Sequence, residues 1–494
     1  MRKGSAALVP LLVLERSSKL PLYRQLYEGC RAAIAERRLR PGERLPSTRS
    51  LAAELGVSRL PVLNAFEQLV AEGYCETRTG AGTFVAGSLP QERSRAGRSS
   101  AAGLAVERPP GRRVVARGTA SSLRPVPPWL SGSGAFSLGE TAIDHFPMLA
   151  WSRLISRLAK STDPKLLRYG ATLGFLPLRE AIAGYLGASR AVRCSAEQIM
   201  VVSGSQQALE LAARVLLDRD SPVWFEEPGY WGARDALRLA GARLVPVPVD
   251  REGLDVAAGI ARSPKARAVF VTPSHQLPLG VTMSASRRLQ LLAWAQHSGA
   301  WVIEDDYNSE YRYESQPVAA LQGLDRDARV LYIGTFSKVL YPSLRVGYLV
   351  LPPDLVQRFV GARRATDICP ATLLQAALAE FIDQGHFARH LHRTRQLYRE
   401  RRRILVEALA HELGDELEVL GDPAGLHLTV LLRRGSDDRA VAARAARDGL
   451  WTLPLSDCYL GAARRRGLVL GYGGIAAAQI PAAVRALRRA LESS

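Results

Sequence analysis

From Leu89 to Ser133 the chain passes through "PQERSRAGRSSAAGLAVERPPGRRVVARG" and its flanks without any sustained apolar period. Serine, arginine, proline and glycine in that mixture bury too little apolar surface to order a backbone, so residues 89–133 read as a flexible basic linker. That stretch governs how the rest can fold. At 494 residues the chain already exceeds one ordinary domain. The linker leaves a small block at 15–88 and a large one at 134–494, and each needs its own core.

Composition narrows what these blocks can meet. Apolar residues make up 47% and charged residues 23%, which is the balance of a globular chain. The formal net charge is +19 with a pI near 10.2, and arginine greatly outnumbers lysine. Such a balance favours polyanionic partners and the bidentate contacts that guanidinium makes to phosphate, although arginine on solvated surfaces alone produces the same totals. The five cysteines lie far apart with no CxxC pair, so no metal site and no disulfide framework is expected, and a reducing cytoplasm fits best. The opening "MRKGSAALVPLLVLERSS" imitates a signal peptide, but Pro10 interrupts its apolar run, Glu15 and Arg16 end it, and no small-x-small cleavage site follows. It reads as an arm. No apolar run is long enough to cross a bilayer, so no membrane partner is expected.

In the small block, Leu22, Leu26, Cys30 and Ile34 recur every four residues and predict an amphipathic helix. Ser47 caps a second helix carrying Leu51 and Leu55, and Gly56 ends it in a left-handed turn. Ser58 caps a third, with Pro61 in its first turn and Val62, Phe66 and Leu69 on its buried face. Then "YCETRTGAGTFV" gives two short strands around a Gly-Ala-Gly turn, a hairpin wing. Helix, tight turn, helix and wing together form a winged helix-turn-helix. In that geometry the third helix enters the major groove with Ser58 and Arg59 against base edges, while Arg44, Ser47, Arg49 and the wing at Gly82 and Thr83 meet phosphates. The duller alternative is a small bundle that supports the larger block. "RPGERLPSTRSLAAELGVSR" followed by "AFEQLVAEGYCETRTGAGTFVA" resembles the DNA-binding domain of the GntR family of bacterial transcription regulators.

In the large block, apolar strand-like runs alternate with helical patterns, the rhythm of an α/β fold. Its most demanding stretch is "GTFSKVLYPSLRVGYLV", which sets Lys338 in an apolar frame. A buried lysine is costly unless it is neutralised, paired or used, and desolvation frees its amine to attack carbonyls. A Schiff base with an aldehyde cofactor is the usual use, so the surroundings should supply what pyridoxal 5'-phosphate needs. An anion site is offered by "VVSGSQQALELAARVLL", where Gly204, Ser205 and Gln206 open a helix, and Thr335, Ser337 and Arg345 complete the cradle. In "AWVIEDDYNSEYRY" an apolar strand ends in Asp305 and Tyr307, two apart and on one face, the carboxylate for the ring nitrogen and the phenol for the ring oxygen. Glu304 and Asp306 point the other way. Tyr230 in "FEEPGYWG" is placed to stack on the ring. His275 in "PSHQLPLG" is a further candidate for cofactor or effector, or else a structural histidine; the basic run from Arg389 to Arg403 reads as a solvated helix face before it reads as a DNA contact.

From Phe136 onward the chain resembles fold-type I aminotransferases of class I/II. That resemblance implies a large domain with a mostly parallel seven-stranded sheet, a smaller domain built from both ends of the region, and a dimer in which Tyr169, in "RYGATLGFLPLREAIAGYL", reaches the neighbouring subunit's phosphate site. A GntR-type winged helix joined by a linker to an aminotransferase-like domain is similar to the MocR subfamily of regulators, which implies a head-to-tail homodimer in the bacterial cytoplasm, on the nucleoid when bound to DNA. The expected function is a regulator that binds operator DNA and senses pyridoxal 5'-phosphate or an amino compound, controlling genes of vitamin B6 or amine and amino-acid metabolism. The alternative is a working aminotransferase carrying a DNA-binding domain. Two departures weigh against that alternative: Val469 stands where such enzymes carry the arginine for the substrate's carboxylate, and Leu277 stands where they carry an asparagine.

Overall fold

The computed structural model describes residues 12, 14–18, 20–87, 132, 134–314, 318–432 and 437–492. Gly132 apart, the linker expected at 89–133 lies outside them. The chain divides into two compact units, Met1–Val114 and Val115–Ser494.

In the first unit, helix α1 spans Leu22–Ala35, α2 Thr48–Leu55 and α3 Arg59–Ala71. Ser47 accepts a hydrogen bond from the Ser50 amide at 3.1 Å, which satisfies one of the free N–H groups at the start of α2. Gly56 closes that helix at φ 61°, ψ 37°, a left-handed conformation that costs glycine nothing. Ser58 occupies the capping position of α3, but its hydroxyl makes no capping bond, a departure from the sequence expectation that leaves an exposed polar group at the helix entrance. Leu26, Cys30, Ile34, Leu51, Val62, Phe66 and Leu69 are all buried in one core. Strands β1 (Cys75–Arg78) and β2 (Gly82–Val85) pair antiparallel and close the wing, with Cys75 and Val85 turned into that core.

The second unit is built on an eight-stranded sheet in the order β3, β10, β9, β8, β7, β4, β5, β6. These strands are β3 (Ile199–Val202), β4 (Pro222–Glu227), β5 (Arg243–Asp250), β6 (Gly253–Leu254), β7 (Ala268–Val271), β8 (Trp301–Asp306), β9 (Val330–Thr335) and β10 (Gly347–Val350). The strands from β9 through β8, β7 and β4 to β5 run parallel, β10 is antiparallel to both its neighbours, and two-residue β6 folds back on the end of β5. Apart from β6 this is the expected seven-stranded sheet. Its central strands are buried along their whole length, as runs such as "AVFV" and "VLYIGT" require when both faces are covered. One face packs on the helices Ser205–Leu216, Trp231–Leu239 and Val356–Thr366; Trp224, Val269 and Val302 face the opposite way, toward Val256–Arg262 and Ala285–Ser298.

A second, antiparallel sheet joins β11 (Leu417–Leu420), β12 (His427–Leu432), β14 (Gly467–Gly471) and β13 (Leu453–Pro454) in that order. The start of the unit is tied into it: the Gly471 amide donates to Phe136 O at 3.0 Å and the Trp451 amide to Ala135 O at 2.8 Å. Segments from both ends of the unit therefore make the smaller lobe.

Candidate functional site: a cavity at the sheet's carboxyl edge and a winged helix

Open α/β sheets present their ligand crevices where parallel strands end. Here Asp305 is the last residue but one of β8, Thr335 ends β9, Thr272 follows β7, Tyr230 follows β4 and Ser205 follows β3, and all five line one cavity of about 200 Å³. Ser337, Lys338, Arg345, Gln206 and Tyr307 line it too.

Lys338 is half-buried on the cavity wall and donates from Nζ to Gly139 O at 3.1 Å. A Cβ on Gly139 would lie 2.3 Å from that Nζ, and its φ of +83° independently favours glycine. Burial lowers the lysine's pKa, with Arg345 acting in the same direction, while Glu140 and Asp305 oppose the shift. Asp305 is buried and its pKa is pushed up to about 7, first by desolvation and then by the charges of Asp306 and Glu226, with Lys338 pulling it back. Its Oδ1 has no hydrogen-bond partner. The neighbouring acids are spent elsewhere: Glu304 accepts from the Leu321 and Gln322 amides at 2.8 and 2.9 Å, and Asp306 takes Arg190 at 2.8 Å and the Tyr332 hydroxyl at 2.7 Å. The alternation along β8 is thus used on both faces.

At the other end of the cavity, Gly204 precedes the helix Ser205–Leu216 with φ +99°, and a Cβ there would meet the Arg345 guanidinium at 2.9 Å. Arg345 donates to Ser203 O at 2.7 Å and itself holds a left-handed φ of 52°. Ser337 Oγ is buried without a partner, and the Ser337 amide donates to Thr335 Oγ1 at 3.2 Å. Open helix amides, one guanidinium and an unpartnered hydroxyl make an anion cradle. Tyr230 reaches Gln206 Oε1 at 3.3 Å.

Two candidates stand elsewhere. His275 is not on the cavity wall. It sits behind Tyr307, whose hydroxyl donates to His275 O at 2.9 Å, and its ring packs edge-on against His427 at 4.7 Å. Burial first, then His427, hold its pKa well below the usual histidine range, so it is a neutral packing group. Tyr169 is 86% exposed and away from the cavity, so it completes no site within its own chain. In the basic run, Arg401 is turned inward to Gly473 O, Arg395 to Glu310 O, and Arg403 pairs with Glu400 and Glu407.

Sequence reading missed Gly139, Leu138, Trp231, Thr272, Asn308, Leu426 and His427, all on the wall. Asn308 has neither amide atom partnered. Its place directly after Asp305-x-Tyr307 was the one available signal.

On the first unit, Arg44, Ser47, Arg49, Ser58, Arg59 and Gly82 are exposed and Thr83 half-buried. A Cβ on Gly82 would lie 3.2 Å from Arg44 Nε, so the wing's turn carries that guanidinium against it. Arg59 donates to Thr48 Oγ1 at 3.1 Å, which brings the entrances of α2 and α3 together. Arg78 stacks over Phe84 with its guanidinium 4.6 Å from the ring centre and pairs with Glu76.

Winged-helix reader and aminotransferase-like cavity in one chain define a class. Residues 22–85 match the family "Bacterial regulatory proteins, gntR family", and residues 135–468 match "Aminotransferase class I and II". The chain belongs to the MocR type of GntR-family transcription regulators, whose aminotransferase-like domain is that of the pyridoxal 5'-phosphate-dependent enzymes. It is 42% identical, over 98% of its length and 97% of the relative's, to the probable rhizopine catabolism regulatory protein MocR of Rhizobium meliloti. It is 33% identical, over 91% of both, to the pyridoxine biosynthesis transcriptional regulator PdxR of Corynebacterium glutamicum. Among solved structures, the α-aminoadipate aminotransferase LysN of Thermus thermophilus, complexed with N-(5'-phosphopyridoxyl)-L-leucine, matches 77% of this chain and 97% of its own, with 30% identity and a TM-score of 0.71. No helix among the described residues is long and apolar enough to cross a membrane.

Proposed function

We propose that this regulator binds operator DNA through its winged helix and takes its signal at the cavity around Lys338, where pyridoxal 5'-phosphate and an amino compound meet. The observation that carries the reading is the convergence of an amine, a buried unpartnered carboxylate oxygen and an anion cradle on one cavity. These residues fit the cofactor group by group. Lys338 would meet the aldehyde carbon, Asp305 the ring nitrogen, and Ser205, Gln206, Thr335, Ser337 and Arg345 the phosphate, with Gly204 leaving room for Arg345. Tyr230 would stack on the ring, and Tyr307, anchored to His275, would meet the ring oxygen. Bound there, pyridoxal 5'-phosphate supplies an electrophilic carbon and, while its ring nitrogen is protonated, an electron sink. Asp305 holds that proton in place; ionising it inside a buried site is favourable once a cation stands beside it.

Ile143, Met148, Leu149, Leu167 and Tyr169 are large apolar or aromatic side chains left exposed between 143 and 169, surface of the kind that a second copy covers, which supports a head-to-tail homodimer with Tyr169 completing the partner's phosphate site. In such a dimer, ligand at the cavity alters operator affinity only to the extent that it favours one arrangement of the reader domains. The genes controlled are those of vitamin B6 or of amine and amino-acid metabolism. The test is binding of the purified protein to its own upstream DNA, with and without the cofactor. A cofactor-dependent change in affinity or in DNA bend supports the reading; binding indifferent to cofactor and to every amine tried removes it.

A further inference from the structure

We infer that the amino compound this cavity takes is a primary amine with an apolar or neutral body and no carboxylate; the inference rests on the cofactor reading above and names the ligand class of that same site. A carboxylate entering a cavity of this size leaves water, and it is tolerated there only if a cation or several donors receive it. The charged side chains on the wall are Asp305, Lys338 and Arg345. All three are committed to the cofactor, and Asp305 has the wrong sign. His427 is also on the wall, but burial pushes its pKa down to about 4, so it is neutral at physiological pH.

The remaining wall is mostly hydrocarbon. Leu138, Trp231, Leu277, Pro342 and Leu426 supply it, and Thr272 and Asn308 add neutral polar groups. Behind Leu138 and Trp231 the apolar lining deepens, because both pack on a cluster of Leu453, Cys458 and fully buried Val469. The guanidinium next along the helix from Trp231 is turned away: Arg234 is held by Asp235 at 3.0 Å and by Asp457 O at 3.0 Å. Arg466, at the entrance of β14, faces Asp437 at 3.8 Å and is not on the wall. Among the described residues of its own chain the cavity therefore offers a ligand two main kinds of contact beyond the cofactor. One is apolar surface for its body, and the other is the unpartnered amide of Asn308 for a neutral hydroxyl or ether. An amino acid brings a charge that neither can receive.

The experiment compares matched pairs on the cofactor-loaded, full-length protein: 2-phenylethylamine with phenylalanine, and isopentylamine with leucine. Binding is followed by calorimetry and by change in the cofactor's absorbance, beside operator affinity. The expected result is that the amine of each pair binds roughly tenfold or more tightly than its amino acid, since an unsatisfied buried charge costs at least that much. Equal or tighter binding of the amino acids overturns the inference while leaving the cofactor reading standing. So does a loaded protein that answers neither member of any pair. A protein that takes up no cofactor at all fails at the earlier step, and the two failures are told apart by the absorbance of the loaded protein before any amine is added.

Discussion

The two units solve opposite problems. The winged helix places its functional groups outside a small core, and neighbours along the chain set them in place: Ser47 caps α2, Gly56 turns the chain, and Arg59 opens α3 three residues later. The cavity places its groups inside, and they arrive from segments far apart. Lys338 and the glycine oxygen that holds it are 199 positions apart in the chain. A surface that reads a polyanion tolerates water and needs only exposed charge. A site that holds an aldehyde beside an amine needs desolvation to shift pKa values, and desolvation needs a completed fold. Damage should therefore be graded and additive in the first unit, and all-or-none in the second.

The largest effect expected is at Lys338. Lys338→Ala removes the visible absorbance that the cofactor gains when an amine holds it, while far-ultraviolet circular dichroism stays unchanged; retention of that band would contradict the assignment. Asp305→Asn sharpens the contrast through pH. The folded pKa of Asp305, about 7, lies above its ordinary value of 3.8, so its contribution to stability is complete below about pH 4 and is lost as pH rises through 7. The cofactor-free wild type should thus lose stability across that window. The asparagine variant should lose less and be more stable at pH 8 by about 1–4 kcal/mol, measured by urea unfolding. Identical pH profiles would show that the carboxylate is not desolvated.

Effects in the reader are smaller. Arg59→Ala should weaken operator binding by about 1–3 kcal/mol if the side chain leaves Thr48 for a base edge. Equal loss on unrelated DNA would reassign it to the phosphate backbone. Ser47→Ala should cost about 1 kcal/mol of stability in the first unit and leave cofactor uptake untouched, read by the midpoint of that unit's unfolding transition.

The same contrast explains what the sequence disclosed. The winged helix was legible because caps, turn glycine and apolar period are local signals; the one miss, the uncapped hydroxyl of Ser58, concerns a side-chain rotamer that no spacing specifies. In the large unit, the cofactor groups were legible where strand alternation orients them, as at Asp305 against Glu304 and Asp306, or where a helix must begin, as at Ser205. His275 stayed open between a ligand contact and a structural histidine because it lies in a loop without a period, and only the packed fold shows it behind Tyr307. Leu426 and His427, at the start of the smaller lobe's β12, and Leu138 and Gly139, near the unit's start, reach the cavity only through the joining of two lobes. Nothing within a short window of sequence records that joining.

The central claim is that one amine, in one cavity, receives the cofactor. It is tested most directly by reducing the pyridoxal 5'-phosphate-loaded protein with borohydride, digesting it and locating the pyridoxyl group by mass spectrometry. The account predicts a single label on Lys338. A label on other lysines with Lys338 unmodified, or no label at saturating cofactor, would contradict it.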